Sequence, residues 1–187
     1  RSGVRNVGMY RMQKVDRRST FMHWQIHKDG RADYLATDGK IPVAVALGLD
    51  PVTAYSASAP LPKHIGELML AGFFRGEPVE LLRCRTNDLE VPAHAEIVLE
   101  GYIDPAEALV TEGPFGDHTG FYSLPDRYPI FTVTAITHRK QPIFQGLLTG
   151  KPVTENHILK QIPFEASFLK TLKAQFPTVH NVSVRAS

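Results

Sequence analysis

The 187-residue sequence holds a single cysteine, Cys84, which excludes an internal disulfide and leads us to expect a reducing, cytoplasmic setting. Cys84 follows the apolar run Val79-Glu80-Leu81-Leu82, so it reads as a buried strand residue rather than a nucleophile. Long hydrophobic runs are missing too, and nothing approaches the length of a membrane-spanning helix. Excess charge is also lacking. A formal net charge of +2, with the basic pairs Arg17-Arg18 and Arg139-Lys140 isolated, argues against a nucleic-acid partner. Internal repeats and low-complexity segments are absent. What remains is ordinary for a globular chain of one domain or a domain and a tail: 43% hydrophobic and 21% charged residues.

Strand signals dominate. Val4 to Arg11 and Phe21 to His27 alternate as strands, the second closed by a Lys28-Asp29-Gly30 turn. Ile41 to Leu47 reads as a buried strand ended by Gly48. Asp50-Pro51 then opens a helix, Asp as N-cap and Pro at the first helical position. Gly66 to Phe74 predicts a second short helix. Further strands are predicted at Val79–Cys84, Ala95–Tyr102, Tyr128–Thr137 and Ile143–Leu147. A longer amphipathic helix is predicted over Glu155–Phe176, with Ile158, Leu159, Phe164, Phe168, Leu169 and Leu172 apolar and Pro163 starting or kinking it. Many antiparallel strands with few helices give an α+β class with a barrel-like sheet.

The densest chemistry lies in Glu112-Gly113-Pro114-Phe115-Gly116-Asp117-His118-Thr119-Gly120. Two carboxylates five residues apart flank a Gly-Pro-Phe-Gly turn, so one stiff loop can hold both. Such a pair suits acid–base work, because repulsion raises one pKa while the other group stays ionised. A solvated surface turn is the competing reading. His118 reads as satisfying loop hydrogen bonds rather than relaying protons.

Asn6-Val7-Gly8-Met9-Tyr10-Arg11 sets an amide and a guanidinium close together on one strand. Their odd separation points them to opposite faces unless Gly8 supplies a bulge. Asn6, His27 across a hairpin and Glu67 in the first turn of a helix make a hard-cation set, suited to Mn²⁺ or Mg²⁺. Trp24 could stack on a planar ring or belong to the core.

Five motifs in order carry a resemblance: Asn6 to Arg11, Pro42-Val43-Ala44-Val45-Ala46-Leu47-Gly48, Pro60-Leu61-Pro62 followed by Glu67, Thr86-Asn87-Asp88-Leu89-Glu90-Val91-Pro92-Ala93, and Glu112 to Asp117. Together, from Asn6 to about Phe176, they resemble the UbiD family of reversible decarboxylases, which depend on prenylated FMN. The resemblance implies a split β-barrel of the flavin-reductase type. It implies a divalent metal on Asn6, His27 (or the nearby His23) and Glu67, and a potassium ion near the backbone at Ala57. Cofactor contacts would come from Met9, Tyr10, Arg11, His23, Trp24, Gln25, Lys28, Ser58, Ala59 and Pro60.

The implied catalytic set is Arg11, Glu112 and Asp117. Many relatives carry Glu at the last position; Asp there resembles the branch acting on 4-hydroxybenzoate-type acids. The implied reaction is non-oxidative, reversible decarboxylation of an aromatic or α,β-unsaturated acid. The sequence opens at Arg1-Ser2-Gly3-Val4 without an initiator Met, so residues 1–187 are expected to be the central flavin-binding domain of a longer decarboxylase. That parent is expected to be a homo-oligomer that takes its cofactor from a flavin prenyltransferase. The alternatives are a flavin-binding split-barrel oxidoreductase and an inactive domain fragment.

Overall fold

In the computed structural model, residues 5–24, 29–59, 61, 65–117, 119–146, 148, 150 and 153–184 are described. The chain forms two compact units: residues 1–112 with 126–145, and residues 113–125 with 146–187.

The first unit is mixed α+β and mostly antiparallel. It contains β1 (Met12–Lys14), β2 (Ser19–Met22), α1 (Asp29–Leu35), β3 (Ile41–Leu47), α2 (Pro51–Ser56), α3 (Glu67–Arg75), β4 (Leu81–Arg83), β5 (Glu90–Pro92), β6 (Ile97–Ile103), β7 (Val110–Glu112), β8 (Asp126–Tyr128) and β9 (Ile130–His138). One five-stranded sheet runs β1-β2-β9-β6-β3, and β4-β5 and β7-β8 form two ribbons. Every ladder in the main sheet is antiparallel.

Apolar side chains from β2, α1, β6 and β9 meet in one core. Met22, Trp24, Tyr34, Ile103 and Phe131 are buried together, with Val43, Val45, Leu99 and Val133 packed around them. The register bulges between Glu100 and Gly101, where β6 crosses β9. A Cβ on Gly101 would lie 2.0 Å from the Thr132 carbonyl oxygen, so only glycine allows that approach. Gly101→Ala is therefore expected to destabilise by about 1–3 kcal/mol, read as a lower thermal midpoint. An unchanged midpoint would mean that the two strands separate without cost.

Glu100, 1% exposed, explains the Thr86-to-Ala93 motif. Its carboxylate accepts from the Arg85 N–H (3.0 Å), the Thr86 N–H (2.7 Å) and the Thr86 hydroxyl (2.8 Å), which pins the β4–β5 turn onto β6. Burial pushes its pKa up, but these donors prevail and hold it below the usual range. Helix α2 starts as expected. The Asp50 carboxylate accepts from the Val52 and Thr53 N–H groups, both at 3.1 Å, and from Arg75 at 2.9 Å.

Four expectations need correction. Residues 5–11 form no strand; the ladder begins at Met12, so side-chain parity says nothing about Asn6 and Arg11. Asp29 and Gly30 open α1 instead of making a turn, with the Asp29 charge at the helix N-terminus. Residues 143–146 form no strand. The predicted strand at 128–137 is split at Pro129, which has no N–H to give a ladder, into β8 and β9. Cys84 is buried, with a free thiol, just beyond β4.

In the second unit, α4 (Glu155–Gln175) is the predicted long helix. It runs through Pro163 rather than starting there. Ile158, Leu159, Phe164 and Phe168 are exposed, while Leu169 and Leu172 are half-buried. Among the described residues no helix is long and apolar enough to cross a membrane.

Candidate active site

Arg11 lies one residue before β1, anchored through its carbonyl, which accepts the His23 N–H at 3.0 Å. Its guanidinium grips Glu112, the last residue of β7, at two points: Nε to Oε1 at 3.3 Å and Nη2 to Oε2 at 2.7 Å. The carboxylate is 2% exposed and the arginine side chain 23%. A planar two-point pair of this kind fixes the orientation of both partners.

His23 completes the group. Its Nδ1 is 2.8 Å from Glu112 Oε2 and 2.7 Å from Arg11 Nη2. Its Nε2 faces the Tyr128 hydroxyl at 3.4 Å, and the two rings lie 4.1 Å apart. Burial pushes the Glu112 carboxyl up; the hydrogen bonds from Arg11 and His23 and their charges more than offset it, so its pKa falls below the usual value. Burial, followed by the Asp126 and Glu112 charges, pushes Tyr128 up. This is an anion–cation pair whose carboxylate is buried and whose two partners fix one another's orientation.

Glu112 and Asp117 do not share one loop. Residues 110–112 pair with 126–128, so Glu112 is drawn into a ladder opposite Asp126 in the first unit. Asp117 belongs to the second unit, in a hairpin over residues 115–123. There the Asp117 N–H donates to the Phe121 carbonyl (2.9 Å), its own carbonyl accepts from Gly120 (3.0 Å), and Gly116 pairs with Tyr122. Gly113 sits at φ 93° and Gly120 at φ 84°, angles that favour glycine and shape this turn. Asp117 is exposed, and His118 lies outside the described residues.

Two members of the expected metal set come near the same backbone. The Val7 N–H donates to Glu67 Oε2 at 3.3 Å, and the neighbouring Asn6 amide nitrogen donates to Asp33 Oδ2 at 3.0 Å. Oxygen donors of this kind match a hard divalent cation. His27 lies outside the described residues, and among those described no group of three or more His, Cys, Asp or Glu is gathered. Asp33, which nothing in the sequence singles out, joins Asn6 because α1 carries it there.

Of the expected cofactor contacts, Met9 is exposed. Tyr10 is half-buried and accepts from the Gly30 N–H at 3.3 Å. Trp24 is core: it is 6% exposed, edge-on to Tyr10 and Tyr34 at 6.2 and 6.1 Å. Ser58 and Ala59 follow α2, their N–H groups bonded to the Tyr55 and Ser56 carbonyls. Ala57 caps that helix. Gln25, Lys28 and Pro60 lie outside the described residues. Sequence reasoning missed Tyr128, and it assigned His23 to cofactor or metal without its contact to Glu112. Neither carries a local signal, because both join Glu112 only through β2 and β8.

Comparison with known proteins gives this geometry a context. Residues 1–152 match the family model described as UbiD, 3-octaprenyl-4-hydroxybenzoate carboxy-lyase Rift-related domain. An uncharacterized protein of Archaeoglobus fulgidus is 48% identical over 187 residues, 98% of this chain and 38% of its own length. The UbiD-class enzyme HmfF from Pelotomaculum thermopropionicum, solved as an evolved dimeric form in complex with prFMN, superposes with a TM-score of 0.84 at 34% identity, over 98% of this chain and 43% of that one. The vanillic acid decarboxylase of Sedimentibacter hydroxybenzoicus, in closed form, gives 0.80 at 32% identity, over 94% and 38%. The chain thus spans about two fifths of the length of these relatives. A family model covering residues 1–152, together with the superposition of 98% of the chain on a UbiD-class enzyme, shows that the chain belongs to the UbiD family.

Proposed function

We propose that residues 1–187 form the central flavin-binding and catalytic domain of a carboxy-lyase. The substrate class is an aromatic, 4-hydroxybenzoate-like or α,β-unsaturated carboxylic acid. The observation that carries the reading is the Arg11–Glu112 pair, with contacts at 3.3 and 2.7 Å and the carboxylate buried. It holds a guanidinium in one orientation, as two-point recognition of a substrate carboxylate requires. The alternative, a simple flavin reductase, gives no role to the two carboxylates Glu112 and Asp117.

The net reaction is RCOO⁻ + H⁺ → RH + CO₂, with no change of oxidation state. Arg11 receives and orients the carboxylate, and Glu112 fixes Arg11 and balances its charge. Asp117 delivers the proton that replaces CO₂ on carbon. When bound, prenylated FMN supplies the electron sink for the C–C cleavage. Asn6, His27 and Glu67 would hold the Mn²⁺ or Mg²⁺ that neutralises the flavin phosphate, with potassium near Ala57. The engagement of His23 with Glu112 supports His27 as the imidazole ligand. The antiparallel order β1-β2-β9-β6-β3 supports placing the first unit among split-barrel flavin-binding folds. Flanking domains, homo-oligomerisation and supply of the cofactor by a prenyltransferase complete the proposal, as does a cytoplasmic, reducing setting for Cys84.

The test is release of CO₂, and exchange of labelled bicarbonate into product, over a panel of such acids. It uses the complete protein reconstituted with prenylated FMN, Mn²⁺ and K⁺. Turnover with at least one acid is expected, and its loss when prenylated FMN is replaced by FMN or the metal is chelated. A correctly loaded protein inert towards every acid overturns the proposal.

A further inference from the structure

His23 meets two groups with opposite demands. Its Nδ1 lies 2.8 Å from an oxygen of Glu112 and 2.7 Å from Nη2 of Arg11. An ionised carboxylate offers only lone pairs, so the 2.8 Å contact needs a hydrogen on Nδ1. Arg11 Nη2 carries two hydrogens and directs one of them at the same carboxylate, 2.7 Å away. On the other side of the ring, Nε2 faces the Tyr128 hydroxyl at 3.4 Å. A neutral imidazole protonated at Nδ1 offers Nε2 as an acceptor, and the Tyr128 hydroxyl, for which the Asp126 carboxylate is the competing acceptor, can turn to donate to it. The groups facing His23 are therefore Arg11, Glu112 and Tyr128, with Asp126 acting on Tyr128 in turn.

We propose that His23 is a positioning residue of the active site: its Nδ1–H orients the Glu112 carboxylate, and through it Arg11, while Tyr128 fixes the imidazole tautomer. For its role in turnover this rests on the decarboxylase reading above. Glu112 accepts three N–H donors, Nε and Nη2 of Arg11 and Nδ1 of His23, which hold it as an anion. The transferable proton then belongs to Asp117. His23 acts on the chemistry only through Glu112, which separates it from a ligand of cofactor or metal.

Nuclear magnetic resonance of the labelled, cofactor-free protein tests the arrangement without requiring turnover. The ¹⁵N shifts of His23 should report hydrogen on Nδ1. The ¹³Cδ signal of Glu112 should titrate about one pH unit higher in His23→Ala, the size of one lost charge-assisted hydrogen bond. His23→Asn, whose side-chain amide can stand where Nδ1 stands, should recover most of that shift. Tyr128→Phe keeps the ring and removes the hydroxyl, so the Nε2–H tautomer should appear. A wild-type His23 protonated only at Nε2 overturns the proposal, as does a Glu112 midpoint unmoved by both His23 substitutions. An unaltered tautomer in Tyr128→Phe removes Tyr128 from it. If these shifts appear in a protein that decarboxylates nothing, the positioning role stands and the decarboxylase reading falls.

Discussion

Asp117→Asn is expected to lower turnover of the cofactor-loaded protein by about two to four orders of magnitude while flavin occupancy stays at the wild-type level. The amide matches the carboxyl in size and still forms hydrogen bonds, but it has no proton to give to carbon. The hairpin should survive, since it is built from main-chain bonds: Asp117 N–H to Phe121, Gly120 N–H to the Asp117 carbonyl and Ser123 N–H to Phe115, at 2.9, 3.0 and 2.8 Å. Turnover and flavin absorbance measured side by side separate loss of chemistry from loss of cofactor. Near-normal turnover would move the acid role to Glu112, against the three donors that hold that carboxylate as an anion.

Arg11→Ala should damage stability and catalysis together. It leaves a carboxylate that is 2% exposed with His23 as its remaining partner at the pair. Removing one member of a buried ion pair costs about 3 kcal/mol, and the partial exposure of Arg11 keeps the estimate at the low end of that class. The sign with pH follows from Glu112. Its folded pKa lies below the ordinary value, so in the wild type it contributes stability above the unfolded pKa. That contribution fades as pH falls from about 4.3 through the folded value. Without Arg11, burial dominates and the carboxyl shifts upward, so the variant is weakest near neutrality. Its deficit should shrink in acid, where Glu112 is protonated in both proteins. Denaturant unfolding at neutral and acid pH measures this, and a deficit independent of pH would exclude Glu112 as its origin. Arg11→Lys should keep much of the stability but not the turnover, because an ammonium lacks the planar two-point grip.

Elements written in adjacent residues were legible in advance. Ile41–Leu47 is the strand expected from its β-branched run and closing glycine. Asp50-Pro51 starts a helix because a carboxylate can cap and a proline needs no partner for a missing N–H. α4 keeps its expected span to within a residue. Each depends on forces acting within a few residues, and these survive in any tertiary setting. Where neighbouring signals conflicted, the outcome was decided elsewhere. Asp29-Gly30 resembles a turn, yet α1 forms there and packs Tyr34 against Trp24 at 6.1 Å.

The site shows the same division. Its residue types were visible: the guanidinium at 11, the carboxylate at 112 and the glycines that shape the loop after it. Their partnership was not. Arg11 and Glu112 stand 101 residues apart, and no periodicity relates them. Side-chain alternation put Asn6 and Arg11 on opposite strand faces unless Gly8 bulged, but residues 5–11 form no strand, because the ladder starts only at Met12. The pairing of β7 with β8 put Glu112 in a ladder opposite Asp126, and β2 and β8 brought His23 and Tyr128 to it. Sequence by itself determined which chemical groups and which local turns the chain possesses, since those depend on covalent structure and short-range sterics. Tertiary structure alone decided which groups meet and which carboxylate is buried against a cation, since both depend on strand pairings between residues far apart along the chain.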